Sequence, residues 1–142
     1  MRRRLIALAA ALLLTPAVAA AADDDFTTPA GTWTGTYVCS QGGTGLTLTL
    51  DASTDGKLSG TFEFYATKAN PGVPDGSFTV EGAWQQSGKL SLHGVRWIKQ
   101  PDGYGMVSLE GQAYAGEPGE PIGLAGKVTG LDGCTSWGVE RR

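Results

Sequence analysis

The chain contains one histidine, two cysteines and two methionines among 142 residues. One imidazole and two thiols are too few for a zinc site, which takes about four ligands drawn mainly from those side chains. Charge is scarce as well. Asp, Glu, Lys and Arg make up only 18% of residues, which argues against a charged disordered tail. Beyond the extreme N-terminus no apolar run approaches the roughly 18 residues of a spanning helix. No sustained 3.6-residue apolar stripe occurs there either, so no helix is expected. The G-x-S-x-G elbow, the P-loop, H-E-x-x-H and the EF-hand loop are all missing. The 22 glycines follow no G-X-Y period, which excludes collagen.

What is present begins with a targeting device. Arg2, Arg3 and Arg4 form a basic start, Leu5 to Leu14 an apolar stretch, and Pro16 a break. The small residues Ala17 to Ala22 then offer several A-x-A cleavage frames, the order of a secretory signal peptide. Residues 1–22 are therefore read as the signal and 23–30 as a flexible acidic leader. Residues 31–142 are read as a single domain. Loss of the signal leaves eight basic against 14 acidic residues, a formal charge of −6. The bases are scattered apart from Arg141-Arg142, whereas nucleic acid requires clustered cations against phosphate. Nucleic acid is not an expected partner.

Export to the periplasm or the extracellular space places Cys39 and Cys134 in an oxidising compartment, where a disulfide between them is expected. Closing so long a loop restricts the unfolded chain by about 4–5 kcal/mol in the chain-entropy model.

Period-2 alternation recurs along the domain, separated by turn residues. Strands are read near Thr32–Cys39, Gly45–Leu50, Lys57–Tyr65 and Ser77–Trp84, then Lys89–Ile98, Tyr104–Ala113, Ile122–Val128 and Thr135–Arg141. Asp55-Gly56, Asp75-Gly76, Ser87-Gly88, Asp102-Gly103 and Asp132-Gly133 stand between them as turn dipeptides. A weak echo runs through Phe78 to Gly82, Leu90 to Gly94, Val107 to Gly111 and Ile122 to Gly126, each apolar-x-apolar-x-Gly. Glycine in the inward phase lets a strand bend, which favours a closed barrel over a β-sandwich. The expected fold is thus all-β, an antiparallel eight-stranded up-and-down barrel. In such a barrel the end of strand one lies beside the start of strand eight, so Cys39 meets Cys134 at the closing seam. Cys134 is out of phase with inward Trp137 and must sit in a turn or bulge. Trp33, Phe62, Phe64, Trp84 and Trp137 are expected inside.

Gly31-Thr32-Trp33, followed by Gly56-Lys57-Leu58-Ser59-Gly60-Thr61-Phe62-Glu63, resembles the opening of the avidin family. The G-x-W start is also similar to lipocalins and to small periplasmic protease inhibitors of bacteria. The resemblance covers about the first third of the chain. It implies an eight-stranded barrel with Trp33 packed across the closed end. The biotin ligands of the avidins do not carry over residue by residue, nor does the N-terminal segment of the inhibitors.

Candidate chemistry is thin. His93, Glu81 and Glu110 alternate with apolar neighbours and are expected on the outer face, which leaves no catalytic constellation. Barrel mouths are common ligand sites. In a meander the loops Ser40–Thr44, Ala66–Asp75, Lys99–Gly103 and Thr129–Gly133 share the disulfide end. Candidate ligand-binding residues there are Gln41, Asn70, Trp97, Lys99, Gln100 and Tyr104, a set suited to a small polar molecule, a sugar or a peptide. Trp97 and Tyr104 have an alternative role as caps of the core. The expected function is a non-enzymatic exported binding module with no cofactor. The alternatives are an enzyme inhibitor presenting Asn70–Asp75 and a structural envelope protein. Intact-mass measurement of the exported protein should give a chain starting near Asp23 and lighter by two hydrogens than the fully reduced form.

Overall fold

A computed structural model describes residues 26–142; residues 1–22, expected to be a signal peptide, and Asp23–Asp25 lie outside the described residues. Eight strands follow one another with no helix among the described residues: β1 (Gly31–Cys39), β2 (Gly42–Ala52), β3 (Lys57–Tyr65), β4 (Gly76–Trp84), β5 (Lys89–Lys99), β6 (Ser108–Tyr114), β7 (Gly123–Thr129) and β8 (Ser136–Arg141). Each pairs antiparallel with the next, and β8 returns to β1, closing the barrel. The barrel reading therefore holds, and the sandwich does not.

The register explains what fills the interior. Leu46, Leu48 and Leu50 on β2 stand opposite Phe64, Phe62 and Gly60 on β3. Phe62 in turn faces Phe78 on β4, which faces Trp97 on β5. Trp33, Phe62, Phe64 and Phe78 are all buried, as are Leu109, Leu124 and Val139 from the other side of the barrel. Phe62 and Phe78 stack with centroids 4.6 Å apart. Eight strands enclose a space just wide enough for side chains, and these rings occupy it.

Inward glycines stand where neighbouring backbones approach most closely. A Cβ on Gly82 would come within 1.8 Å of the Ser91 carbonyl oxygen, and one on Gly60 within 1.9 Å of that of Thr49. The bends inferred from the apolar-x-apolar-x-Gly echo thus have a steric basis. Among the five turn dipeptides, Gly56, Gly88, Gly103 and Gly133 adopt positive φ. Gly76 differs, for it opens β4 and lies under the Phe64 ring, 2.1 Å from where its Cβ would be.

Both ends of the barrel are tied. At one end the disulfide joins Cys39 to Cys134, 95 residues apart. Cys134 lies in the turn before β8, as its phase required. The Thr135 amide donates to the Val38 carbonyl at 2.9 Å, extending the seam. At the other end Trp33 donates its indole N–H to Pro29 O at 2.9 Å. The Arg141 guanidinium lies 4.6 Å from the centroid of the same ring and donates to Thr28 O at 2.6 Å. The described part of the leader, 26–30, is therefore packed against this far end, with Pro29 buried. Trp84 is only half-buried, and sits at the far rim with its indole donating to Ser53 O and Phe26 edge-on to it.

Two strand boundaries differ from expectation with a physical cause. β2 begins at Gly42, three residues early, because Gly42 and Gly43 still pair with Cys39 and Val38. β6 begins at Ser108 and not at Tyr104. Tyr104 turns into the barrel mouth and stacks on Phe64, with centroids 5.3 Å apart, so the segment ahead of Ser108 leaves the ladder. Gly82→Ala should lower stability by about 1–3 kcal/mol, the usual cost of overpacking. Gly43→Ala, where a Cβ meets nothing within 4 Å, should leave the chemical-denaturation midpoint nearly unchanged.

Candidate functional site at the disulfide end

Strand direction places the loops 40–41, 66–75, 100–107 and 130–135 at the disulfide end, the grouping inferred from the sequence. Beneath them lies a cluster of rings. Phe64 contacts Tyr104 in a stacked pair and Trp97 edge-on, with centroids 6.3 Å apart. Trp97 also meets Phe78 edge-on at 5.2 Å. Tyr37 completes the group, edge-on to Phe62 at 5.1 Å and to Phe64 at 6.4 Å. Trp97 and Tyr104 are half-buried and packed on the core. Their rings pack over Phe64 at the mouth.

The six candidate residues fall into three groups. Asn70 donates its side-chain amide to the carbonyls of Gln41 and Gly43, so the long loop is pinned to the β1–β2 turn. Gln41 in turn donates to Tyr37 Oη at 3.3 Å and to Thr44 Oγ1 at 3.2 Å. Gln100 donates to Tyr104 O at 3.0 Å, which holds the turn that delivers Tyr104 to the mouth. Lys99 stands apart. It pairs with Ser77 at the top of β5 and shares a depression of about 370 Å³ with Glu63, Asp75 and Ser77, among others. Gln41, Asn70 and Gln100 thus direct side-chain amide donors to the protein itself, and Tyr104 accepts only through its backbone carbonyl.

Tyr37 and Thr44 were not singled out by sequence reasoning, yet they form the polar floor of this end. Thr44 is fully buried and donates to Gly42 O at 3.1 Å. The Tyr37 phenol is pushed above its ordinary pKa, first by burial and then by the neighbouring Tyr104, against the lowering effect of the Gln41 bond. Its position two residues before Cys39, in the inward phase of β1, was the available signal.

A wider depression, about 850 Å³, is elsewhere. It lies on the outer wall, where the β2–β3 hairpin with Ser53, Asp55 and Lys57 overhangs Ser59, Glu81, Ser91 and His93. Glu81 pairs with His93 across the β4–β5 ladder, and both are exposed, as is Glu110. Among the described residues no group of three His, Cys, Asp or Glu side chains is placed to hold a metal ion. No helix there is long and apolar enough to cross a membrane.

The β5 strand has its own irregularity. Register shifts fall between the pairs Ser77–Lys99 and Phe78–Trp97, and between Thr79–Arg96 and Val80–Gly94. Val95 and Ile98 are the extra residues at these two bulges. The β5–β6 ladder runs only from Lys89–Gln112 to His93–Ser108. Above His93, β5 is paired on one side only.

If Tyr37 stays protonated in the folded protein while the unfolded chain ionises at a pKa of about 10, the folded state binds more protons above that pH. Stability should then fall with rising pH above about 10, by up to roughly 1.4 kcal/mol per unit from this group. Tyr37→Phe should remove that slope in urea titrations between pH 9 and 11. No family model, curated protein or solved structure matches the chain.

Proposed function

We propose that this chain is an exported, non-enzymatic binding module that holds a macromolecular partner on the outside of its disulfide end. The filled mouth carries the reading. Small-molecule carriers need a cavity of a few hundred Å³ that encloses most of the ligand, whereas here Phe64, Trp97, Tyr104 and Tyr37 stack across the entrance. The signal-like N-terminus and the Cys39–Cys134 disulfide support export. Ordered loops on a rigid scaffold are suited to recognition, and Asn70 and Gln100 keep two of these loops in place.

The inhibitor reading draws less support. Asn70–Asp75 does not project as a whole, since Val73 sinks into the core and Asn70 is tied to the β1–β2 turn. A photo-cross-linker placed in the loop 100–103 should yield one adduct of defined mass in the producing cells. The same group at Glu117, in the far-end loop, should yield none. Retinol and anilinonaphthalene sulfonate should show no saturable one-to-one uptake; such uptake would place a ligand in the interior and overturn the proposal.

A further inference from the structure

We infer that the unpaired upper half of β5, Gly94–Lys99, takes up an extended acidic-apolar segment of a partner protein as an added strand. The inference rests on the binding-module reading and says where, and by what chemistry, that binding occurs. Along the lower half of β5 exposure alternates, with Leu90 and Leu92 buried and Lys89, Ser91 and His93 exposed. The alternation ends at Gly94. Val95, Arg96, Ile98 and Lys99 are all exposed, Ile98 at 60% and Val95 at 45%.

The cause is the departure of the chain ahead of β6. Residues 104–107 pass beside this edge without joining the ladder: Tyr104 stacks into the mouth and Met106 packs against Gly94. Beyond Gly94 the backbone groups facing away from β4 have no ladder partner, the standard template for strand addition. Edges are commonly blunted by bulges and lysine, and β5 has both. Blunting does not call for two large apolar side chains at the bulges, where they remain in water. Leu131, 44% exposed, lies against Gly105 on the adjacent segment and adds to the apolar surface.

Charge identifies the occupant. Arg96 and Lys99 flank Ile98, and the only ion pair among the described residues is Asp55–Lys57, so both cations are uncommitted. A second copy of this edge would bring like charges together, whereas an added strand alternating acidic and apolar residues puts its acids on one face, where they meet Arg96 and Lys99, and its apolar residues on the other, beside Trp97.

The probe is a capped eight-residue peptide alternating valine and glutamate, titrated into the ¹⁵N-labelled mature protein. Amide shifts should saturate over Gly94–Lys99. A lysine-for-glutamate peptide should bind at least about tenfold more weakly, and a peptide N-methylated along one edge should not bind. The Arg96→Glu, Lys99→Glu double variant, with both positions exposed, should keep its remaining spectrum and reverse the preference between the two peptides. Absence of shifts at millimolar peptide, equal binding of both peptides, or concentration-dependent dimerisation through this edge would overturn the inference. Saturable shifts confined to 40–44 and 66–75 would also overturn it, while leaving the binding-module reading in place.

Discussion

The β1–β8 seam turns an eight-stranded sheet into a barrel, and this closure governs how every other part of the molecule is satisfied. An open sheet would leave β1 and β8 with rows of unpaired backbone groups. Here Trp33–Tyr37 pair with Trp137–Arg141, and the seam is secured at both extremities. The disulfide and the Thr135–Val38 hydrogen bond hold one end. At the other, Arg141 lies over Trp33, and Arg142 donates its amide to Thr32 O. Because these strands are farthest apart in sequence, their pairing carries the largest loop-closure cost, the cost that a long-range disulfide reduces in the unfolded chain.

Closure at eight strands also sets the size of the interior, and from that the kind of function the fold can support. Rings from β1, β3 and β4 meet along the axis, and glycines at Gly60 and Gly82 let the backbones approach closely enough to leave little void. A barrel so filled offers its side chains to one another, as interiors packed near crystal density do. On the binding-module proposal, recognition falls to loops, outer wall and edges.

Most of the architecture was legible in the sequence because it is written at period two. Leu46, Leu48 and Leu50 announce an inner face, Cys39 and Cys134 sit where a closed meander brings them together, and turn glycines mark the connections. The candidate site was less legible. Trp97 and Tyr104 do reach one place, but as caps on Phe64, and Lys99 stands apart from them. Residue type at a rim does not reveal whether a ring faces the ligand or the core. One clue went unused. Leu92 and Trp97 are both inward but five positions apart, an odd spacing that a regular strand cannot accommodate without a bulge. Tyr104 was assigned to strand six because local alternation cannot anticipate that Phe64, forty residues earlier, offers a better partner than the ladder does.

That competition between Tyr104 and the ladder accounts for the one discontinuity in the barrel wall. Stacking Tyr104 on Phe64 covers the mouth, and an aromatic pair of this kind contributes about 0.5–1.5 kcal/mol beyond its buried area. In return, the upper part of β5 loses its neighbour. A closed barrel ordinarily abolishes edges, so an edge reopened beside a covered mouth changes what the fold presents to its surroundings. Arg96, Lys99 and the bulges disfavour flat pairing with a like copy there. The same devices leave the edge able to accept a segment of opposite charge. The covered mouth and the unpaired edge of β5 are therefore two results of one local choice, the stacking of Tyr104 on Phe64 rather than a position in the ladder.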